Sequence, residues 1–159
     1  MVEVVILQAM KAKFKLRTSL VWVIVCLGLS ILGILRIKEY RLNRTVRNVA
    51  LRLVQMETLS RTTRVDYRMV FWNNRCVMEY FDRDSGRWHP HTASAYHRGV
   101  VSDPAGLRII FSGGRFKEYS MPGARERIPR FLILEFRIPG TPKKRGVIFY
   151  RDGDWRILG

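Results

Sequence analysis

"SLVWVIVCLGLSILGIL" (19–35) holds no charged residue. It runs straight into "RIKEYRLNRTVRNVALRLVQMETLSR" (36–61), where no proline or glycine breaks the chain. From Thr18 to Leu35 an α-helix rising about 1.5 Å per residue covers roughly 27 Å, close to the ~30 Å of a bilayer's hydrocarbon core. A cleaved signal peptide would have a shorter apolar core followed by small residues. Here Arg36, Ile37 and Lys38 follow, so residues 18–35 read as a retained transmembrane helix. A soluble core helix is the weaker reading, because a chain this small rarely covers a helix that is uncharged on every side.

Beyond the span the pattern changes. Leu42, Val46, Val49, Leu53 and Met56 recur in steps of four and three, and Ala50 and Leu59 widen the stripe. Arg44, Arg47, Arg52 and Gln55 fall off it. That is one apolar face of a helix, which predicts an amphipathic continuation over residues 36–62 packed on whatever follows. The simplest expectation is a single helix from about Thr18 to Ser60, half in lipid and half in water. The stripe runs under three heptads, too short to favour a coiled coil.

Residues 1–17 form a basic leader or cytoplasmic tail. Lys11, Lys13, Lys15 and Arg17 precede the span, and Arg36, Lys38, Arg41, Arg44 and Arg47 follow it. This near balance leaves orientation undecided by charge.

After Arg61 the period shortens to two. "VDYRMVFW" (65–72), Asn73-Asn74 and "RCVMEYF" (75–81) read as strand, tight turn and strand. "DRDSG" (82–86) is a loop, and "LRIIF" (107–111) ends at Ser112-Gly113-Gly114. "RFLILEFRI" (130–138), "VIFYR" (147–151) and "WRIL" (155–158) form a two- or three-stranded meander. Residues 88–106 and 120–129 carry Pro90, Pro104, Pro122 and Pro129, and are expected to be loops. One long helix followed by strands alone makes an α+β protein, with residues 63–159 an antiparallel sheet domain whose apolar face the stripe covers.

The formal net charge is +16, spread along the chain and carried mostly by arginine. Such a surface favours acidic partners, whether anionic lipid, nucleic acid or acidic protein. The two cysteines, Cys26 in the apolar run and Cys76 far beyond it, exclude a disulfide scaffold and a cysteine-based zinc site.

His89 and His91 with His97 nearby have the residue types of a metal site, but Pro90 lies between them and no HExxH or cysteine pair accompanies them, so a solvated loop is expected. Asp82, Asp84 and Ser85 lack the spacing of a calcium loop and read as a turn. Ser112-Gly113-Gly114 opens no helix and is not a phosphate loop. Lys143-Lys144-Arg145 reads as a solvated hairpin tip, with phosphate contact the lesser alternative. Cys26, Ser30 and Gly33 are small residues at helical spacing that could seat a neighbouring helix. No catalytic constellation emerges, and no cofactor or small-molecule substrate is expected.

The layout resembles that of type IV pilins, and within them the minor pseudopilins of type II secretion systems (the GspH/FimT-like group). The resemblance rests on "VRNVALRLVQMETLSRTTRVDYRMVFWNNRCVMEYF" (46–81) and on the closing "RGVIFYRDGDWRIL" (145–158). It implies a non-enzymatic filament subunit in the bacterial inner membrane, its N-terminus inside and its sheet domain outside. It also implies other pilin-like subunits as partners, in a secretion pseudopilus or a type IV pilus. An anchored module that captures nucleic acid is the alternative. In the family a small residue, a phenylalanine and, four residues on, a glutamate open the apolar run. Here Lys13 stands at the small residue, Phe14 at the phenylalanine and Thr18 at the glutamate. The expectation is a leader junction at Lys13-Phe14 that is cut poorly or not at all.

Overall fold

The computed structural model describes residues 2–121, 131–150 and 152–158, with side chains from residue 19 onward. Two compact units divide the chain, residues 1–38 and 39–159. The helix α1 runs Val2–Thr63, so it starts well before the expected Thr18 and takes in the basic leader.

Over residues 19–35 of the first unit α1 is apolar and uncovered. Leu20, Trp22, Leu29 and Leu32 are all more than half exposed. An 18-residue window in this part of the helix has a mean hydropathy of 2.5 with none of it buried, which makes it long and apolar enough to cross a membrane.

In the second unit nine strands among the described residues follow the helix: β1 Tyr67–Trp72, β2 Arg75–Asp82, β3 Arg87–Ala95, β4 Val101–Asp103, β5 Leu107–Ser112, β6 Arg115–Ser120, β7 Phe131–Arg137, β8 Lys144–Tyr150 and β9 Trp155–Leu158. They form two sheets, β3-β2-β1-β5-β6 and β4-β7-β8-β9, in which every pairing is antiparallel. One core joins helix and sheets. Leu42, Val46, Val49, Leu53 and Met56 of α1 share it with Met69, Phe71, Ile109 and Phe111 of the first sheet and Leu134, Phe136, Val147 and Phe149 of the second. Phe116 and Phe149, with ring centroids 5.7 Å apart, close the seam between the sheets. Burying each of these side chains contributes about 1.5–3 kcal/mol.

Three buried hydroxyls fix how the pieces meet. Thr45 Oγ1 accepts from the His97 N–H at 3.1 Å, holding the loop after β3 to the helix. Ser60 Oγ accepts from the Gly114 N–H at 2.9 Å and donates to the Glu57 carbonyl, tying the β5–β6 turn to the last turns of α1. Ser102 Oγ donates to the Trp72 carbonyl at 2.8 Å, pinning an edge of the second sheet to the end of β1. Gly113 and Gly114 both have positive φ, as a two-residue hairpin of the first sheet requires. A Cβ on Gly114 would stand 2.7 Å from Arg61 Nε. The helix ends where Arg64 turns left-handed at φ 56°.

The sequence expectation fails in one region and is incomplete in another. Residues 88–106 are not simply loop: β3 covers 87–95 and β4 covers 101–103. Pro90 is accommodated because β3 is an edge strand and the register slips there, between Met78 and Glu79, so no ladder N–H is needed from it. Strand β6, which the sequence reading did not identify, is the other edge of that sheet and turns only Phe116 fully inward. The loop expected over 120–129 lies outside the described residues from position 122 onward.

Candidate functional site: the outward face of the helix

The residues singled out in the sequence fall into separate places. Lys13, Phe14 and Thr18 lie within the helical backbone of α1. Leu42, Val46, Val49, Leu53 and Met56 are all at most 3% exposed, under the sheets. Cys26 is exposed on the apolar segment, where Ser30 Oγ donates to its carbonyl at 2.8 Å, and nothing lies within 4 Å of a Cβ placed on Gly33. His89 stacks on Tyr80 at 5.7 Å and stands 3.7 Å from Asp82, while His91 meets the edges of Tyr67 and Tyr80. His97 is apart, next to Thr45. Among the described residues no three His, Cys, Asp or Glu side chains are placed to hold a metal ion. Asp82 caps its own turn: the Ser85 hydroxyl, then the Asp84 N–H, hold its carboxyl below the usual range.

Arg52 departs from its sequence reading. It lies off the apolar stripe but is only partly exposed, and it reaches Ser94 Oγ on β3 at 3.2 Å and Gln55 Oε1 at 2.8 Å. Its charge lowers the Cys76 thiol only in part. Burial dominates and pushes that thiol up to about 11, so Cys76 is an inert core residue. Burial likewise raises the Tyr96 hydroxyl, whose O–H donates toward Ser102 Oγ at 3.4 Å.

The helix carries a second stripe, on the side away from the sheets. Tyr40, Arg44, Arg47, Leu51 and Val54 follow one another in steps of four and three. Tyr40 is 59% exposed, Leu51 60% and Val54 49%. Arg44 Nη1 donates to Tyr40 Oη at 3.0 Å, and its guanidinium lies 5.9 Å from the ring centroid. Between these side chains runs a shallow groove of about 440 Å³ lined by Tyr40, Asn43, Arg44, Arg47, Asn48 and Leu51. A smaller one of about 320 Å³ continues along Asn48, Leu51, Arg52 and Gln55 to Ser94. Neither groove contains a nucleophile beside a base. Each has what a helix needs to seat another helix: apolar knobs at heptad-like spacing flanked by arginine and amide side chains. The sequence reading missed this stripe because arginines interrupt it. The signal it left is the triplet of large apolar residues at 40, 51 and 54, which no inward face accommodates.

A third depression of about 540 Å³ lies between the end of α1 and the β5–β6 and β8–β9 turns. Its lining includes Glu57, Arg61, Arg115, Asp152 and Asp154. The mixed charge, with Arg61 paired to Glu57 at 3.3 Å, gives it no field of one sign to attract a ligand.

No protein-family model matches this sequence, and no curated protein matches it either. Two solved structures do match, both of the minor pseudopilin EpsH from the type 2 secretion system of Vibrio cholerae. One aligns with a TM-score of 0.58 at 13% identity, over 75% of this chain and 97% of that one. The other aligns with a TM-score of 0.53 at 15% identity, over 77% and 96%. The fold of this chain, one long helix on antiparallel sheets, is therefore the pilin-like fold of a minor pseudopilin.

Proposed function

We propose that this protein is a non-enzymatic minor subunit of a type II secretion pseudopilus or related type IV pilus, and that it supports protein export across the bacterial envelope. The observation that carries this reading is the division of labour along α1. One stripe of the helix closes its own domain's core, and a second, at Tyr40, Leu51 and Val54, is uncovered, following an exposed apolar segment. A monomeric enzyme has no use for two such faces on one helix, whereas a subunit that packs against neighbouring helices needs both. The pilin-like fold supports the same conclusion. The chain sits in the inner membrane through residues 18–35, with its sheet domain on the extracytoplasmic side.

Thr18 makes this a dependent subunit. In the family the glutamate at that position pairs with the freed amine of a neighbouring subunit; a threonine hydroxyl offers a neutral hydrogen bond, roughly half as strong. Co-purification in mild detergent from cells that also make the other pilin-like subunits tests the proposal. The wild-type chain is expected to bring them down and Leu51→Asp to lose them while remaining folded. Recovery of the same partners with both chains would refute assembly through this face.

A further inference from the structure

The outward stripe of α1 in the second unit is basic as well as apolar. Between Glu39 and Thr63 the helix carries Arg41, Arg44, Arg47, Arg52 and Arg61 against two carboxylates, Glu39 and Glu57. Both carboxylates already have a cation. Glu39 Oε2 lies 2.7 Å from Lys143 Nζ on the β7–β8 turn, and Glu57 Oε1 lies 3.3 Å from Arg61 Nη2. Among the described residues no carboxylate lines either groove along the stripe, and neither Arg44 nor Arg47 makes an ion pair.

These two arginines stand where a partner would lie. Tyr40, Arg44, Arg47, Leu51 and Val54 span about 21 Å of helical rise, and the arginines take the second and third of the five positions. A helix seated on the stripe therefore passes directly over them. Tyr40 Oη accepts from Arg44 Nη1, which holds that guanidinium on the stripe and leaves most of its five N–H donors for an incoming acceptor. Such a fork pairs bidentately with a carboxylate. Two copies of this chain meeting stripe to stripe would instead bring four guanidiniums into one seam, and like charges set face to face reject a partner.

We propose that the stripe seats an acidic helix of a different subunit. Glu or Asp residues of that helix meet Arg44 and Arg47 while its apolar residues cover Leu51 and Val54, and the same arginines exclude a second copy of this chain. The inference rests on the proposed role as a filament subunit and adds the chemistry of the partner's face. The occupant is a helix and not a phosphate backbone, because Leu51 and Val54, 60% and 49% exposed, continue the stripe and phosphates would leave them uncovered.

Energy transfer between fluorescently labelled full-length chains, in detergent at a large excess of micelles over protein, tests the proposal. The probe is this chain carrying Arg44→Glu and Arg47→Glu, which presents an acidic helix on the same scaffold. Both positions are exposed, so the reversed chain should fold as the wild type does, with near-ultraviolet circular dichroism as the check. Wild type with reversed chain should pair at least about tenfold more tightly than either chain with itself. The preference should shrink to about twofold or less in 1 M salt, where screening acts within about 3 Å. Leu51→Asp in both chains should abolish the mixed pair. Arg44→Gln with Arg47→Gln, which removes the charge without reversing it, should associate with itself more tightly than the wild type does.

Wild type pairing with itself as tightly as with the reversed chain, with Leu51→Asp abolishing both, would overturn selection by charge and leave the stripe as a packing surface. A mixed pair indifferent to Leu51→Asp, or no pair in any mixture, would overturn the acidic partner and assembly through this face together. A DNA duplex bound by the wild type and not by the reversed chain, with no mixed pair formed, would assign the arginines to phosphate and overturn the helix.

Discussion

Ser60→Ala should destabilise the sheet domain out of proportion to the single oxygen it removes. Ser60 is fully buried, and its Oγ accepts the Gly114 N–H at 2.9 Å. The alanine leaves that N–H inside the protein with no acceptor, which costs about 1–3 kcal/mol. Water has little room to substitute, because Arg61 packs where a Gly114 side chain would stand, 2.9 Å from its Cβ position. For a unit of this size about 1 kcal/mol corresponds to roughly 4 °C in Tm, so a fall of about 4–12 °C is expected. Thr58→Ala is the matched control: its hydroxyl donates to the Val54 carbonyl at 2.9 Å on the exposed side of the same helix. That loss should stay within about 0.5 kcal/mol, or roughly 2 °C. Thermal unfolding of the full chain in detergent, followed by near-ultraviolet circular dichroism, reports the domain without the membrane helix dominating the signal. Equal melting shifts for the two variants would refute the clamp.

Leu53→Ala empties a fully buried position and should cost about 2–5 kcal/mol, whereas Leu51→Ala, 60% exposed, should leave stability within about 0.5 kcal/mol; denaturant titration compares them. Gly114→Ala combines a φ of 80° with a Cβ 2.7 Å from Arg61 Nε, so its midpoint should fall by at least about 1 kcal/mol, and an unchanged midpoint would mean the turn relaxes freely. Cys76 has its folded pKa raised from 9.0 to about 11, so the folded state keeps a proton that the unfolded chain has lost; its contribution is intact below pH 9 and is lost as pH rises toward 11. Buried Tyr96 acts in the same direction at higher pH, so Cys76→Ala should make the alkaline fall in stability shallower between pH 9 and 11 without abolishing it. Mass spectrometry of the membrane-extracted chain should find it uncut or inefficiently cut at Lys13-Phe14; a quantitative N-terminus at methylated Phe14, with homopolymers on overexpression, would contradict the role given to Thr18.

The architecture was legible where one physical pattern acts over many residues. The uncharged run at 19–35 and the stripe from Leu42 to Met56 each repeat one choice often enough to identify a helix and its inward face. The hairpin across Asn73-Asn74 announced itself by alternation on both sides of a turn dipeptide. Edge strands were harder for a reason that lies in their environment. β3 and β6 are each paired on one side only, so β3 tolerates Pro90 and β6 tolerates a mostly polar "RFKEYS", and neither needs the composition by which central strands are recognised.

What stayed hidden are single polar residues whose meaning comes from a distant partner. Thr45, Ser60 and Ser102 look like surface residues in sequence and are core residues in the fold, because each meets a main-chain group that would otherwise be orphaned. Arg52 looks solvated and in fact bridges α1 to β3. Lys143 looks like a hairpin tip until Glu39 is found beside it. The helix concentrates this ambiguity. Its apolar residues divide between two faces, and periodicity detects the stripe at 42–56 more readily because no charge interrupts it. The stripe through Tyr40, Leu51 and Val54 is broken by arginines, as the proposed packing against a partner requires of a face that must stay soluble until it is covered. A surface meant for a neighbour has to compromise between burial and solubility, and that compromise blurs the pattern. The face proposed for assembly is therefore the one the sequence reveals least, and it comes into view only when the sheet domain has claimed the other.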